Sequence, residues 1–296
     1  MRIDVRTADG RLLVAEEWGD PAGPPVLLLH GTPGSRLGTA PSDLARRCPG
    51  VRFVAYDRPG YGESDRLPGR RVADAARDCA AVADALGMAR FGVIGRSGGA
   101  PHALACAALL PERVVGAAAL VSLAPRDAEG LDWFAGMTAS NVLDYTLARD
   151  DRARLAHTLA LRGAAISEAP GRLIDELRAE LTAYDTPVVD DPAIRAMLLR
   201  NYREALRISA DGWLDDSVAL SSPWGFGLSS LTVPVMLWHG QNDVFSPISH
   251  FHWLAGHIPG AHAVSAPRAG HFAAQYVLPR VLDWLRDLPR QRDEDR

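Results

Sequence analysis

The chain has little that would tie it to an oxidising compartment, a nucleic acid or a bilayer. Its three cysteines, Cys48, Cys79 and Cys106, are odd in number and show no C-x-x-C spacing, which argues against a disulfide framework and a cysteine zinc site. They are expected to be reduced, with Cys106, in an apolar helical stretch, packed as a small hydrophobe. Basic excess is also missing: the net charge is -4 and the arginines are scattered, so nothing offers a field for a phosphate backbone and nucleic acid is not an expected partner. No stretch approaches about 18 uninterrupted apolar residues, and the opening "MRIDVRTADGRLLVAEEWGD" has no apolar leader core, so membrane insertion is not expected and a cytoplasmic location is. What is present is ordinary for a globule, with 47% hydrophobic and 23% charged residues. A chain of 296 residues can bury one large α/β core carrying an insertion.

The apolar runs organise that core. "RIDVRTA" and "RLLVAEEWG" flank Asp9-Gly10, a pair suited to positive φ, and read as a hairpin. Short apolar runs follow at residues 26–30, 52–57, 91–95 and 114–122, separated by helix-length segments, then at 233–240 and 261–266. Such runs fit buried parallel strands with crossover helices. Val72, Ala76, Cys79, Val82 or Ala83, and Leu86 recur at helical spacing before the stop at Gly87. Further helices are expected from Gly98 to Leu110, ended by Pro111, and from His271 to Leu285. Residues 127–230 read as helices without a strand, so the predicted organisation is a core of residues 1–126 and 231–290, a helical cap at 127–230 and a frayed tail at 291–296.

One five-residue stretch carries chemistry. "GRSGG" places Ser97 between glycines where a buried strand runs into a helix. That context suits a serine held on a strained turn above the strand ends, although a polar residue in a glycine-rich bend would look the same in isolation. A serine hydroxyl needs a base, and the base an orienting acid. Asp243 follows the run at 233–240, and His271 precedes the last helix, giving the order Ser, Asp, His. A backbone N–H from "HGTPGS" at Thr32 could join that of Gly98 in holding an oxyanion. Pro33 has no N–H to donate.

With "HGTPGS", "YDRPGYGES", "GRSGG", "HGQNDVFSP" and "AGHF" in this order across the core, the chain resembles an α/β-hydrolase fold serine hydrolase with a helical cap, on its esterase and proline iminopeptidase-like branch. The resemblance implies a mostly parallel sheet flanked by helices, and hydrolysis of a carboxylic ester, lactone or thioester of a small molecule through an acyl-enzyme on Ser97. Asp243 and His271 would complete the triad, with no metal and no organic cofactor. A proline iminopeptidase-like aminopeptidase, a carbon-carbon bond hydrolase and a triad-bearing binding protein with negligible turnover are the alternatives. A homodimer is compatible with the sequence.

Each residue has a rival. Asp127, after the preceding strand, competes with Asp243 for the acid, while Asp57 is expected to fix its own glycine-rich loop. Of the other histidines, His30 and His239 precede glycines at strand ends and should brace loops, and His250, His252, His257 and His262 fall in a stretch that reads as surface. Trp133, Phe134, Met137 and Tyr145 could line the substrate pocket or pack cap on core. Arg96, directly before the nucleophile, needs a partner because guanidinium is always charged. Either a cap carboxylate such as Asp132 or Asp144, or an anionic or electron-rich substrate, would serve.

Overall fold

Gly10, at φ 86°, closes the first hairpin and pairs β1 (Arg2–Arg6) with β2 (Leu12–Gly19) in antiparallel register. The computed structural model describes residues 1–288, so the frayed tail expected at 291–296 lies outside the described residues. Strands and helices then alternate: β3 (Pro25–Leu29), the single turn α1 (Leu44–Arg47), β4 (Arg52–Tyr56), α2 (Ala75–Ala85), β5 (Phe91–Arg96), α3 (Gly99–Leu109) and β6 (Val114–Leu120). Six helices without an intervening strand follow: α4 (Ala139–Asp150), α5 (Arg152–Glu168), α6 (Gly171–Arg178), α7 (Thr186–Asp190), α8 (Pro192–Ala205) and α9 (Asp211–Leu220). The sheet resumes with β7 (Val235–Gly240), α10 (Ile248–His257), β8 (His262–Ala266) and α11 (Leu278–Asp287).

Eight strands form one sheet in the order β1-β2-β4-β3-β5-β6-β7-β8. It is parallel from β4 through β8, with β2 antiparallel to β4. Because side chains alternate along a strand, the central runs feed both faces. Leu27, Leu29, Phe91 and Val93 join the layer with Cys79, Val82, Leu104 and Cys106 of α2 and α3. Val26, Leu28 and Ile94 join the layer with Val281, Leu282 and Leu285 of α11. Each fully buried Leu or Val of these layers contributes about 1.5–3 kcal/mol. A separate cluster, including Leu155, Leu159, Ile174 and Met197, holds the inserted helices together and reaches the core through Phe245 and Phe272.

The final helix starts later than its periodicity predicts. A 3-10 turn, Phe272–Gln275, follows His271, and α11 begins at Leu278 with proline in its first turn. Pro279 lacks an N–H and is accommodated at a helix start but not in the interior, where a helix from His271 would place it. The break leaves His271 on a loop. β3 lies between β4 and β5, so the connections leaving β3 and β5 diverge, and a crevice opens at their carboxyl ends, where open α/β sheets bind ligands.

Candidate active site

Ser97 sits at the end of β5 with φ 54°, one of two non-glycine residues with positive φ among those described. Its N–H still donates to Leu120 O at 2.9 Å, so the strand's ladder carries it to the turn. The neighbours must be glycines for steric reasons. A Cβ on Gly98 would lie 2.2 Å from Thr32 Oγ1, and one on Gly99 would lie 2.4 Å from the carbonyl oxygens of Leu29 and His30. The sharp turn therefore packs directly on the loop after β3, bringing the Thr32 and Gly98 backbones together; Thr32 N lies 3.3 Å from that same Cβ position. The Thr32–Pro33 peptide bond is cis.

His271 and Asp243 meet across two loops. His271 Nδ1 donates to Asp243 Oδ2 at 2.8 Å, because a carboxylate can only accept; in the neutral ring Nε2 is then left as the basic nitrogen. Asp243 is itself fixed, its Oδ1 accepting from Phe245 N at 2.8 Å and Ser246 N at 2.9 Å. Phe245 and Phe272 pack against the imidazole at ring distances of 5.3 and 5.7 Å. Asp127 is exposed and makes no such contact.

Ser97, His271, Thr32, Arg96 and Tyr145 all line one cavity of about 90 Å3. Its remaining wall comes largely from the inserted helices, through residues such as Asp144, Arg162, Tyr202 and Trp213. Trp133, Phe134 and Met137 are not in that wall. Trp133 is buried, donates its indole N–H to Ala124 O at 2.9 Å and packs edge-on against Tyr145 and His250. Phe134 and Met137 are half-buried against the main core. These apolar residues join the chain leaving β6 to the sheet, and of the four only Tyr145 reaches the cavity.

Arg96 has no carboxylate partner among the described residues. Asp144 pairs instead with Arg162 at 3.4 Å, and Asp132, at the surface, accepts from Phe134 N at 3.3 Å. Neither pair forecast for Arg96 exists, because Arg162 on α5 reaches Asp144 from within the insertion. Burial pushes the Asp144 carboxyl up to about 6, against the opposing pull of Arg162.

The histidines divide sharply. His30 Nδ1 donates to Gly31 O at 2.8 Å while Nε2 accepts from Arg58 N at 3.1 Å, and His239 Nε2 donates to Ser246 O at 2.6 Å, so both brace loops. His250 is not at the surface. It is fully buried, accepting at Nδ1 from Ala124 N at 3.0 Å and donating from Nε2 to Trp133 O at 3.0 Å, and burial lowers it to about 4. His252, His257 and His262 are exposed. Asp57, expected to fix its own loop, reaches the segment after β3, accepting from Arg36 N at 2.6 Å and pairing with the Arg36 guanidinium; burial raises it to about 7.

Sequence reasoning missed two buried carboxylates that join the inserted helices to the core loops. Asp185, just before α7, accepts from Phe272 N at 2.7 Å and His271 N at 3.1 Å. Asp216 of α9 accepts from Thr32 Oγ1 at 2.5 Å and Tyr61 Oη at 2.8 Å, and pairs with Arg58 at 2.5 Å and Arg70 at 2.6 Å. Arg58 also donates to the carbonyls of His30 and Gly31. One signal was available: Asp216 shares the buried stripe of α9 with Trp213, Ser217 and Leu220, and an acid on such a stripe demands buried cations.

Among the described residues, no group of three or more His, Cys, Asp or Glu is placed to hold a metal ion. No described helix is long and apolar enough to cross a membrane.

Known proteins resemble this one, some over most of its length and some over part of it. The pimeloyl-[acyl-carrier protein] methyl ester esterase of Nitrosomonas europaea is 29% identical over 274 residues, spanning 86% of this chain and 93% of that protein. A proline iminopeptidase of Xylella fastidiosa is 36% identical over 111 residues, 36% of this chain and 34% of its own. In three dimensions, an esterase from Rhodococcus sp. ECU1013 superposes with a TM-score of 0.70 at 22% identity, covering 97% of this chain and 99% of the other. The family described as alpha/beta hydrolase fold matches residues 24–274. The chain belongs to the alpha/beta hydrolase fold family.

Proposed function

We propose that the protein is a serine hydrolase that cleaves an ester-like bond of a small molecule, with Ser97 as nucleophile, His271 as base and Asp243 as the acid that orients it. The observation that carries this reading is Ser97 at φ 54° facing the same cavity as a His271 whose Nδ1 is engaged by Asp243 at 2.8 Å. Ser97 Oγ attacks the carbonyl carbon as its proton passes to His271 Nε2. The tetrahedral oxyanion is held by the N–H groups of Thr32 and Gly98, and collapse expels the alkoxide, which leaves with that proton. Water, deprotonated by His271, then releases the acid and restores Ser97. The six inserted helices act as the cap, and their side chains set substrate shape.

An aminopeptidase reading needs a free carboxylate in the cavity wall to hold a substrate amine. Asp144, the acid that the inserted helices place there, is already engaged by Arg162, which favours the ester reading. Labelling with a fluorophosphonate probe tests the nucleophile. Wild type is expected to label, and Ser97→Ala and His271→Ala to fail, with ester turnover reduced by about 10⁴-fold or more. Labelling that persists in Ser97→Ala would remove Ser97 from the mechanism.

A further inference from the structure

The arginines around the site are satisfied by carboxylates, with one exception. Arg58 and Arg70 share Asp216, Arg36 has Asp57 and Glu204, and Arg162 has Asp144 and Glu176 while lying 4.7 Å from the Trp213 ring centre. Among the described residues, Arg96 meets only neutral oxygens. Its Nη2 donates to Gly38 O at 3.3 Å. Gln275, its amide oxygen turned to the guanidinium as the surrounding donors require, accepts from Nε at 3.1 Å and Nη2 at 3.0 Å. Nη1 has no protein acceptor among the described residues. The side chain is half-buried and touches the cavity that Ser97 and His271 line. Burial lowers its pKa, but a guanidinium stays charged in a protein. An uncompensated cation held against desolvation beside a reactive serine is an arrangement that an anionic ligand completes.

We propose that Arg96 is the anion subsite of this cavity and that the ester hydrolysed at Ser97 carries a free carboxylate: a short monoester of a dicarboxylic acid. The proposal rests on the serine-hydrolase reading for the cleavage step alone; the binding of the carboxylate stands apart from it. The cavity is small, at about 90 Å3, which restricts the acid to a short chain. Arg162, the other cation in the wall, is already neutralised, so the substrate's charge goes to Arg96. The Gln275 and Gly38 oxygens fix the guanidinium without cancelling its charge.

The test compares monomethyl esters of malonate through adipate with the matching neutral dimethyl esters, read as the ratio of kcat/KM for acid over neutral ester within each protein. That ratio cancels any general loss of activity. Wild type is expected to prefer one monoacid by roughly ten- to hundred-fold, the range of a charge-assisted hydrogen-bonded pair. Arg96→Gln should bring the ratio to about one, and Arg96→Lys should recover part of it, since ammonium keeps the charge but not the planar fork. Calorimetry with glutarate gives a readout free of turnover, with binding to wild type and binding at least about ten-fold weaker in Arg96→Gln. Thermal melting establishes that each variant is folded, and Arg96→Lys carries the comparison if Arg96→Gln is not.

A fluorophosphonate-labelled wild type that cleaves neutral esters, shows no preference for acids and does not bind glutarate would overturn the subsite and leave the hydrolase reading intact. A preference that survives in Arg96→Gln would overturn it as well, by placing the anion elsewhere. Glutarate binding that depends on Arg96, in a protein that neither labels nor cleaves any ester, would uphold the subsite and overturn the hydrolase reading.

Discussion

Asp185 and Asp216 do the same structural work by opposite electrostatics. Both are fully buried carboxylates from the inserted helices, and each grips a core loop that carries part of the site. Asp216 holds the loop after β3 through Thr32 and is itself clasped by two guanidiniums, which hold it well below the usual carboxylate range despite its burial. Asp185 holds the His271 loop through two backbone N–H groups with no arginine or lysine in contact among the described residues, and burial pushes its carboxyl up. A Cβ on Gly270 would sit 2.1 Å from the Asp185 carboxylate, so the "GHF" stretch is shaped as a cradle for it. Positional strength is thus obtained at one contact from charge and at the other from backbone amides in a fitted cradle. Removing the first acid strands two buried cations, whereas removing the second strands only neutral donors.

That contrast is broken most forcefully at Asp216. Asp216→Asn leaves Arg58 and Arg70 facing a neutral amide in the interior, where two Arg70 nitrogens already lack an acceptor. Breaking a buried pair in this way costs about 3–5 kcal/mol. Urea denaturation should therefore show the largest fall in stability here, with ester turnover reduced as the Thr32 loop loosens. A loss under 1 kcal/mol, on the order of one neutral hydrogen bond, would mean that the two arginines find other partners and that charge is not what holds this loop.

Asp185→Asn should cost less, about 1–3 kcal/mol, the range for a buried donor left without its acceptor. Its signature lies in function, since the backbone of His271 is what moves. We expect kcat to fall with KM little changed, measured on a neutral ester, and Asp185→Glu not to restore it because Gly270 leaves no space for a longer chain. Stability losses equal to those of Asp216→Asn would erase the distinction between the two contacts.

Acid should sharpen the comparison, because the two groups shift in opposite directions. An unfolded aspartate titrates near about 3.9. Asp185, facing His271 and Asp243, has its folded pKa above that value. Between the two pKa values the folded chain binds more protons than the unfolded, so stability from this group grows as pH falls. Asp216, facing Arg58, Arg70, Tyr61 and His102, has its folded pKa far below. Its contribution is complete above about pH 3.9 and is lost as pH falls through that value toward the folded pKa. The stability gap between wild type and Asp185→Asn should widen from neutral pH down to about 4, while the gap to Asp216→Asn stays level and shrinks only below that. Equilibrium unfolding at a series of pH values checks both slopes, and slopes of the same sign would contradict the opposed environments.

The sequence made one side of the site readable and hid the other. Ser97, Asp243 and His271 follow apolar runs or glycine-rich turns whose alternation locates strand ends, so their chemistry could be placed on a predicted sheet. Asp185 and Asp216 sit among helices where an acid is usually a solvated face. Asp185 even reads as the N-cap of α7, yet its carboxylate caps nothing in its own helix and reaches His271 instead. Asp215 and Asp216 are adjacent, and only the helical phase separates the one that meets Arg66 near the surface from the one that meets Arg58 in the interior. The same difficulty made Arg96 readable as a demand for an anion without revealing that Asp144 is claimed by Arg162. His250 falls in a stretch that reads as surface; phase separates it from His252, two residues on, whereas His257, seven residues on and on the same face, is exposed because it ends α10.

The finest distinction is available at Thr32. Thr32→Val removes the hydroxyl that donates to Asp216 at 2.5 Å but keeps a branched side chain against Gly98, where a Cβ would already lie 2.2 Å from Oγ1. Asp216 retains both arginines and the Tyr61 hydroxyl, so no charge is stranded and the expected cost is only about 1 kcal/mol by denaturation. The backbone N–H of Thr32 survives, its loop still tethered by Arg58 holding the carbonyls of His30 and Gly31 and by Ser35 N donating to Asn201 Oδ1 at 2.7 Å. A few-fold decrease in kcat with unchanged KM would assign the hydroxyl to fine placement of that N–H. A loss as large as that of Asp216→Asn would show that the hydroxyl, rather than the ion pairs, transmits the position of α9 to the loop, and the contrast with Asp185 would then be one of hydrogen-bond number and not of charge.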